Sequence, residues 1–129
     1  MKHIATQFQF LLESKRNNIV YRPDGSVQWE EWLENGKLHR LDGPAWIEYR
    51  PDGSVESEKW WENGKRHRLD GPAQIGYRPD GSVESEKWYR NDSKLGEEEV
   101  RELKRAAVRK ELKSLGFSDA DIEIIAPIF

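Results

Sequence analysis

The sequence predicts an α+β chain in which tandem 28-residue β-hairpin repeats form an antiparallel curved sheet, flanked by an N-terminal helix and two C-terminal helices. Three observations carry this. The word "YRPDGSV" begins at Tyr21, Tyr49 and Tyr77, a step of 28 residues each time (49 − 21 and 77 − 49). "ENGKLHRLDGPA" from Glu34 returns at the same step as "ENGKRHRLDGPA" from Glu62. After Gly96 the Gly-rich punctuation stops and apolar residues recur at helical spacing. A period of this size is what a repeated supersecondary unit leaves in a sequence. The expected organisation is an N-terminal segment over 1–20, repeats over 21–96 (21–48, 49–76 and a truncated 77–96), and a helical segment over 97–129.

At the N-terminus, Ile4, Phe8, Leu11 and Leu12 fall at i, i+4, i+7 and i+8, which predicts a helix, although Phe8, Phe10 and Leu12 also alternate as in a strand. Within each unit the turns come next. In "RPDG", Pro presets φ at the first turn position, Asp suits the second, and Gly accepts the left-handed conformation that a three-residue hairpin with a bulge requires. In "ENGK", Asn-Gly signals a two-residue hairpin turn with Glu and Lys facing each other across it. Between the turns, "PAWIEYR" and "SVESEKWW" carry β-branched and aromatic residues at near-alternating positions, as strands do. "HRLDGPA" reads as a reversing loop, with Pro44 and Pro72 at strand starts that need no donor. The third unit departs from this pattern after Trp88.

In the tail, Glu97 to Glu99 load a first helical turn, basic residues crowd the later part, and Gly116 ends the helix. Val100, Leu103, Ala107, Leu112 and Leu115 form its apolar stripe. Ser118 is an N-cap for a second helix, with Asp119 and Asp121 in its first turn and Pro127 beyond. The apolar end, with Ile122, Ile124, Ile125, Ile128 and Phe129, is expected to dock on the sheet or on another copy of the chain.

Composition narrows the function classes. The chain has 129 residues, 36% hydrophobic and 35% charged, with six Trp, four Tyr and four Phe, so its core must be shallow and aromatic. A net charge of −3 with interleaved signs gives no drive toward nucleic acid. The absence of Cys excludes disulfides and thiolate-held metals. The polar N-terminus and the lack of any long apolar run predict a soluble cytoplasmic protein without membrane contact. No phosphate-binding loop, H-E-x-x-H motif or nucleophile-base set is present, and a non-enzyme without cofactor is expected.

Residues recurring in every unit are read as framework. His39 and His67, Arg40 and Arg68, and Asp42 and Asp70 are expected to tie the reversing loop to a neighbouring strand. Equivalent histidines two strands apart sit about 10 Å from each other at ~4.8 Å per strand, too far to share one zinc. Trp32, Trp60 and Trp88, like Tyr21, Tyr49 and Tyr77, predict an aromatic ladder along the sheet. Core packing is its simplest role, and a carbohydrate- or single-stranded nucleic-acid-binding strip is the alternative.

The run "WWENGKRHRLDGPA" followed by "YRPDG" resembles the MORN-like repeat proteins, in the bacterial and phage variety with NGK-x-HR-x-DGPA units. The resemblance covers about 75 residues, from Tyr21 to roughly Leu95, and neither end. It implies tandem β-hairpins in a curved sheet that serve as a scaffold and binding surface, related members resembling antitoxin or immunity proteins, and a phage origin acting in a bacterial cytoplasm.

Positions that differ between units are free of the framework's demand and are the candidate contacts with a partner protein. Trp29 stands where the others have Ser57 and Ser85, and Trp46 where the next has Gln74. Trp61 and Tyr89 share a position with Leu33, and Arg66 with Leu38. Large aromatics and Arg are the usual anchors of protein interfaces. Glu30, Glu31, Glu34 and Glu48 make the first unit acidic, six carboxylates against three bases, where the later units are neutral. Ile128 and Phe129 complete the candidate set as a partner or homodimer surface. The expectation is an inhibitor, immunity or counter-defence protein that occludes a partner, with a self-assembling array as a further alternative.

Overall fold

The structure, a computed structural model, describes residues 15–125. The chain divides into two units, one ending at Lys94 and one starting at Leu95.

Among its described residues, the first unit is built of antiparallel β-structure. Eleven strands follow one another: β1 (Lys15–Tyr21), β2 (Val27–Glu34), β3 (Lys37–Leu38), β4 (Trp46–Tyr49), β5 (Val55–Lys59), β6 (Trp61–Glu62), β7 (Lys65–Arg66), β8 (Gln74–Tyr77), β9 (Val83–Lys87), β10 (Tyr89–Arg90) and β11 (Ser93–Lys94). The main sheet has seven strands in the order β1-β2-β4-β5-β8-β9, with β3 paired to β2 off this path. β6-β7 and β10-β11 form two small separate hairpins. The sheet is not strongly curled, in contrast to the curvature expected.

Two kinds of turn build it, each set by its residues. At "RPDGS" the Gly25 amide donates to the Arg22 carbonyl (2.9 Å) and the Arg22 amide to the Ser26 carbonyl (2.7 Å), with Gly25 at φ +88°. This is a three-residue hairpin loop with a bulge, and the pairing register shifts between Val20 and Tyr21 as a bulge requires. Asp24 closes the loop by accepting from both the amide (2.9 Å) and the hydroxyl (2.6 Å) of Ser26. Those bonds, led by the hydroxyl's, hold its carboxyl below the usual range, and Asp52 and Asp80 are held down in the same way by Ser54 and Ser82. At "ENGK" both central residues have positive φ, Asn35 at 51° and Gly36 at 75°, and Glu34 pairs with Lys37 across the turn. The third unit keeps this hairpin beyond Trp88: Asn91 (46°) and Asp92 (67°) form the turn between β10 and β11 without glycine.

The expected helix over 1–20 is corrected where it can be seen. Lys15–Tyr21 is a strand, paired with β2 from Lys15↔Glu34 to Tyr21↔Val27, and residues 1–14 lie outside the described part. Extending the 28-residue alignment backwards explains β1, because Ile19 and Tyr21 stand where Ile47 and Tyr49, then Ile75 and Tyr77, stand later.

The second unit contains α1 (Glu97–Ser114) and α2 (Asp119–Ile125). Gly96 starts α1 without a side-chain cap, and Glu97, Glu98 and Glu99 sit in its first turn, where the exposed amides favour negative charge. Gly116, at φ +97°, reverses the chain while the Phe117 amide returns to the Leu112 carbonyl (3.1 Å). Ser118 and Asp121 then cap α2 reciprocally, the Asp121 amide donating to the Ser118 hydroxyl oxygen (3.1 Å) and the Ser118 amide to the Asp121 carboxylate (3.2 Å). α1 buries no residue completely, and Ala107 of the expected stripe is exposed, whereas Val108 is half-buried. In α2, Ile122 is buried but Ile124 is 78% exposed. Ile128 and Phe129 lie outside the described residues.

Candidate functional site

Register assigns every strand residue to one face of the main sheet, because cross-strand partners share a face. On one face, Ile19, Glu30, Ile47, Glu58, Ile75 and Glu86 lie side by side across the six strands of the main path, an alternating Ile-Glu row. On the opposite face, Val20, Trp29, Glu48, Ser57, Gly76 and Ser85 form one row, and Asn18, Glu31, Trp46, Lys59, Gln74 and Lys87 the next.

The Ile-Glu face is the framework side. Glu30 and Glu58 each lie between isoleucines and receive a phenol from the next hairpin: the Tyr49 hydroxyl donates to Glu30 (2.6 Å) and the Tyr77 hydroxyl to Glu58 (3.1 Å). Burial, then the hydrogen bond and charge of Glu30, push Tyr49 up to about 12, and Tyr77 is raised by the same causes, with Glu58 in place of Glu30. Arginine arms cross the same seams. Arg22 reaches the Tyr49 carbonyl (2.5 Å) and Arg50 the Tyr77 carbonyl (2.5 Å).

The reversing loop contributes a second framework that the sequence only half revealed. The Arg40 guanidinium lies 4.1 Å over the Trp32 ring and Arg68 3.9 Å over Trp60. Each also bonds a loop aspartate (3.0 Å in both) and a proline carbonyl, Pro44 at 3.2 Å and Pro72 at 3.1 Å. Two of the three tryptophans expected to form a ring ladder, Trp32 and Trp60, are therefore covered by cations. His39 and His67 span successive hairpins: Nδ1 accepts the amide of Asn63 (2.9 Å) or Asn91 (3.1 Å), which places the proton on Nε2, facing Glu34 (3.2 Å) or Glu62 (3.6 Å). With both ring nitrogens engaged, neither histidine is free to act as a base or ligand, and among the described residues no cluster of three or more His, Asp or Glu is placed to hold a metal.

The candidate contact residues separate into three places. Trp29 and Trp46 meet on the face opposite the Ile-Glu row, rings stacked at 5.7 Å and 15°. The Trp46 indole donates to Glu48 (2.9 Å), and Asn18 donates to Glu31 alongside (3.2 Å). Arg66 and Tyr89 instead meet each other: the guanidinium lies 4.2 Å over the ring, its Nε and backbone amide both bond the Asp92 carboxylate (3.1 and 2.9 Å), and Tyr89 is 7% exposed. Trp61 pairs with Arg66 within the β6–β7 hairpin, and its carbonyl accepts from the Arg40 amide (3.1 Å) across the preceding seam. The glutamates of the acidic first unit do not share one face: Glu30 faces the framework side, Glu31 and Glu48 the tryptophan side, and Glu34 the hairpin end beside His39.

Sequence reasoning missed Leu41 and Leu69. They recur at the repeat step yet are 72% and 63% exposed, so recurrence alone does not mark packing. Among the described residues no helix is long and apolar enough to cross a membrane. Comparison with known proteins finds no matching family model, curated protein or solved structure.

Proposed function

We propose that the chain is a non-enzymatic, protein-binding module of tandem MORN-like hairpin repeats, acting by occlusion of a partner protein as an inhibitor, immunity or phage counter-defence protein does, in the bacterial cytoplasm. The stacked Trp29–Trp46 pair carries this reading. It sits at positions where other units hold Ser57, Ser85 and Gln74, on the face opposite the rows that bind the hairpins together. A framework that repeats without those rings does not need them, and two indoles held rigid on a sheet supply a large contact area at low entropy cost. Glu31 and Glu48 flank the pair, which favours a partner surface with an apolar pocket and a basic rim.

The experiment exchanges Trp29→Ser and Trp46→Gln together, installing the residues that the other units already carry. Affinity capture from the host extract should lose its specific partner while thermal stability changes little. Retained capture, or a loss of stability with capture intact, would assign the pair to packing and remove the reading.

A further inference from the structure

The two outer strands of the main sheet are complementary halves of a seam that the molecule already builds twice. β9 is one edge. Residues Tyr77 to Trp88 are identical, letter for letter, to Tyr49 to Trp60, yet β5 is paired on both sides while β9, among the described residues, is paired only with β8 and is exposed along its whole length. Among the described residues, β1 is the other edge. It carries the Ile and Tyr that β4 and β8 use to meet their left-hand neighbours, but Ile19 is 43% and Tyr21 58% exposed where Ile47 is 9% exposed.

The interior seams β2–β4 and β5–β8 share four devices. Three residue pairs stand in register; a main-chain bond joins Trp32 to Ala45 (2.8 Å) or Trp60 to Ala73 (2.7 Å); a tyrosine hydroxyl meets a glutamate; and an arginine arm reaches the tyrosine carbonyl. The open edges carry the same groups: Arg78, Glu86 and Trp88 on the β9 side, Ile19 and Tyr21 on the β1 side. The Ile-Glu row ends in Ile19 at one border and Glu86 at the other, so a second copy placed edge to edge continues the alternation.

We propose that β9 of one copy pairs with β1 of another, antiparallel, in the register Ser85↔Val20, Glu86↔Ile19 and Lys87↔Asn18, reproducing the β5–β8 seam between molecules. The two borders differ, so the contact is head-to-tail, and a sheet that is not strongly curled extends by it as an open row instead of closing into a small ring. The charges of β9 do not prevent this, because β5 carries the same charges and is paired on both edges. One difference weakens the contact relative to the interior seams. Asn17 stands where Ala45 and Ala73 are wholly buried. Association is accordingly reversible and concentration-dependent, and it uses the sheet's edges, leaving the tryptophan face open.

Sedimentation velocity of the full chain over a wide concentration range tests it. Larger species should grow with concentration, and Asn17→Ala should strengthen them, a gain that misfolding does not mimic. Tyr21→Phe should weaken association about three- to ten-fold, the loss of one hydrogen bond. Glu86→Pro should abolish it, because amides alternate along a strand and the one two residues before Trp88 points off the same border. Without any variant, the Glu86 and Trp88 amides should exchange rapidly in dilute solution and slowly when concentrated. A monomer at every concentration, or association that survives Glu86→Pro with those amides still unprotected, would overturn the proposal.

Discussion

Replacing Arg68 by Ala should destabilise the sheet unit far more than replacing its ion-pair partner Asp70 by Asn, although both residues recur in the reversing loops. The Arg68 side chain is 20% exposed and that of Asp70 84%. An exposed carboxylate at 3.0 Å gains little from its pair in water, and such pairs contribute roughly 0–1 kcal/mol. Arg68 does more. Its guanidinium covers Trp60 at 3.9 Å, a partly desolvated cation–π contact of about 1–2 kcal/mol. It also donates to the Pro72 carbonyl at 3.1 Å, and a charged hydrogen bond of this kind contributes about 1.5–3 kcal/mol. Gly71 is shaped to this group, since a Cβ there would stand 2.7 Å from the guanidinium carbon. The expected loss for Arg68→Ala is about 3 kcal/mol, with Arg68→Lys intermediate because an ammonium cannot stack and donate in two directions at once. Urea unfolding followed by both tryptophan fluorescence and circular dichroism measures this, coincident transitions licensing a single free energy. If Asp70→Asn costs as much as Arg68→Ala, the ion pair and not the stacked cation holds the loop, and the ranking is wrong.

Gly64→Val should lower stability by more than about 1 kcal/mol, because Gly64 holds φ +77° in the Asn-Gly turn and a β-branched side chain resists it; an unchanged melting temperature would reject that turn. Tyr49 should make stability fall at alkaline pH. Its folded value is raised from 10.0 to about 12, so the folded state holds the proton more tightly, the contribution is complete below pH 10, and it is lost as pH rises toward 12. Tyr49→Phe should flatten the stability profile in that window, and tyrosinate absorbance should show a late-titrating phenol in the wild-type protein. Asp52→Asn should flatten the acid limb instead, since its lowered carboxyl contributes stability that is lost as pH falls through its folded value; an unchanged acid transition would show that the Ser54 bonds do not matter.

What could be read in the sequence was local, and what could not was the identity of the neighbours. Both turn types were legible because Pro-Asp-Gly and Asn-Gly dictate backbone angles within four residues. The third small hairpin was obscured because Asn91-Asp92 reaches positive φ without glycine, at angles that short polar side chains tolerate. β1 is obscure in the sequence because its alternation is weak and the most distinctive repeated word, "YRPDGSV", marks the end of a strand and not its start. The candidate contacts divided for a related reason. Variation between units marked Trp29, Trp46, Arg66 and Tyr89 equally, but Arg66 and Tyr89 lie 28 − 5 = 23 positions apart, on successive hairpins, and satisfy each other, so a variable pair can be framework when both members change together. Trp29 and Trp46 also changed together, yet their rings stack on the face that the hairpin seams leave unused. Two variable pairs thus differ in place: one locks a cation into the loop layer, and the other stacks two rings on the face opposite the Ile-Glu row.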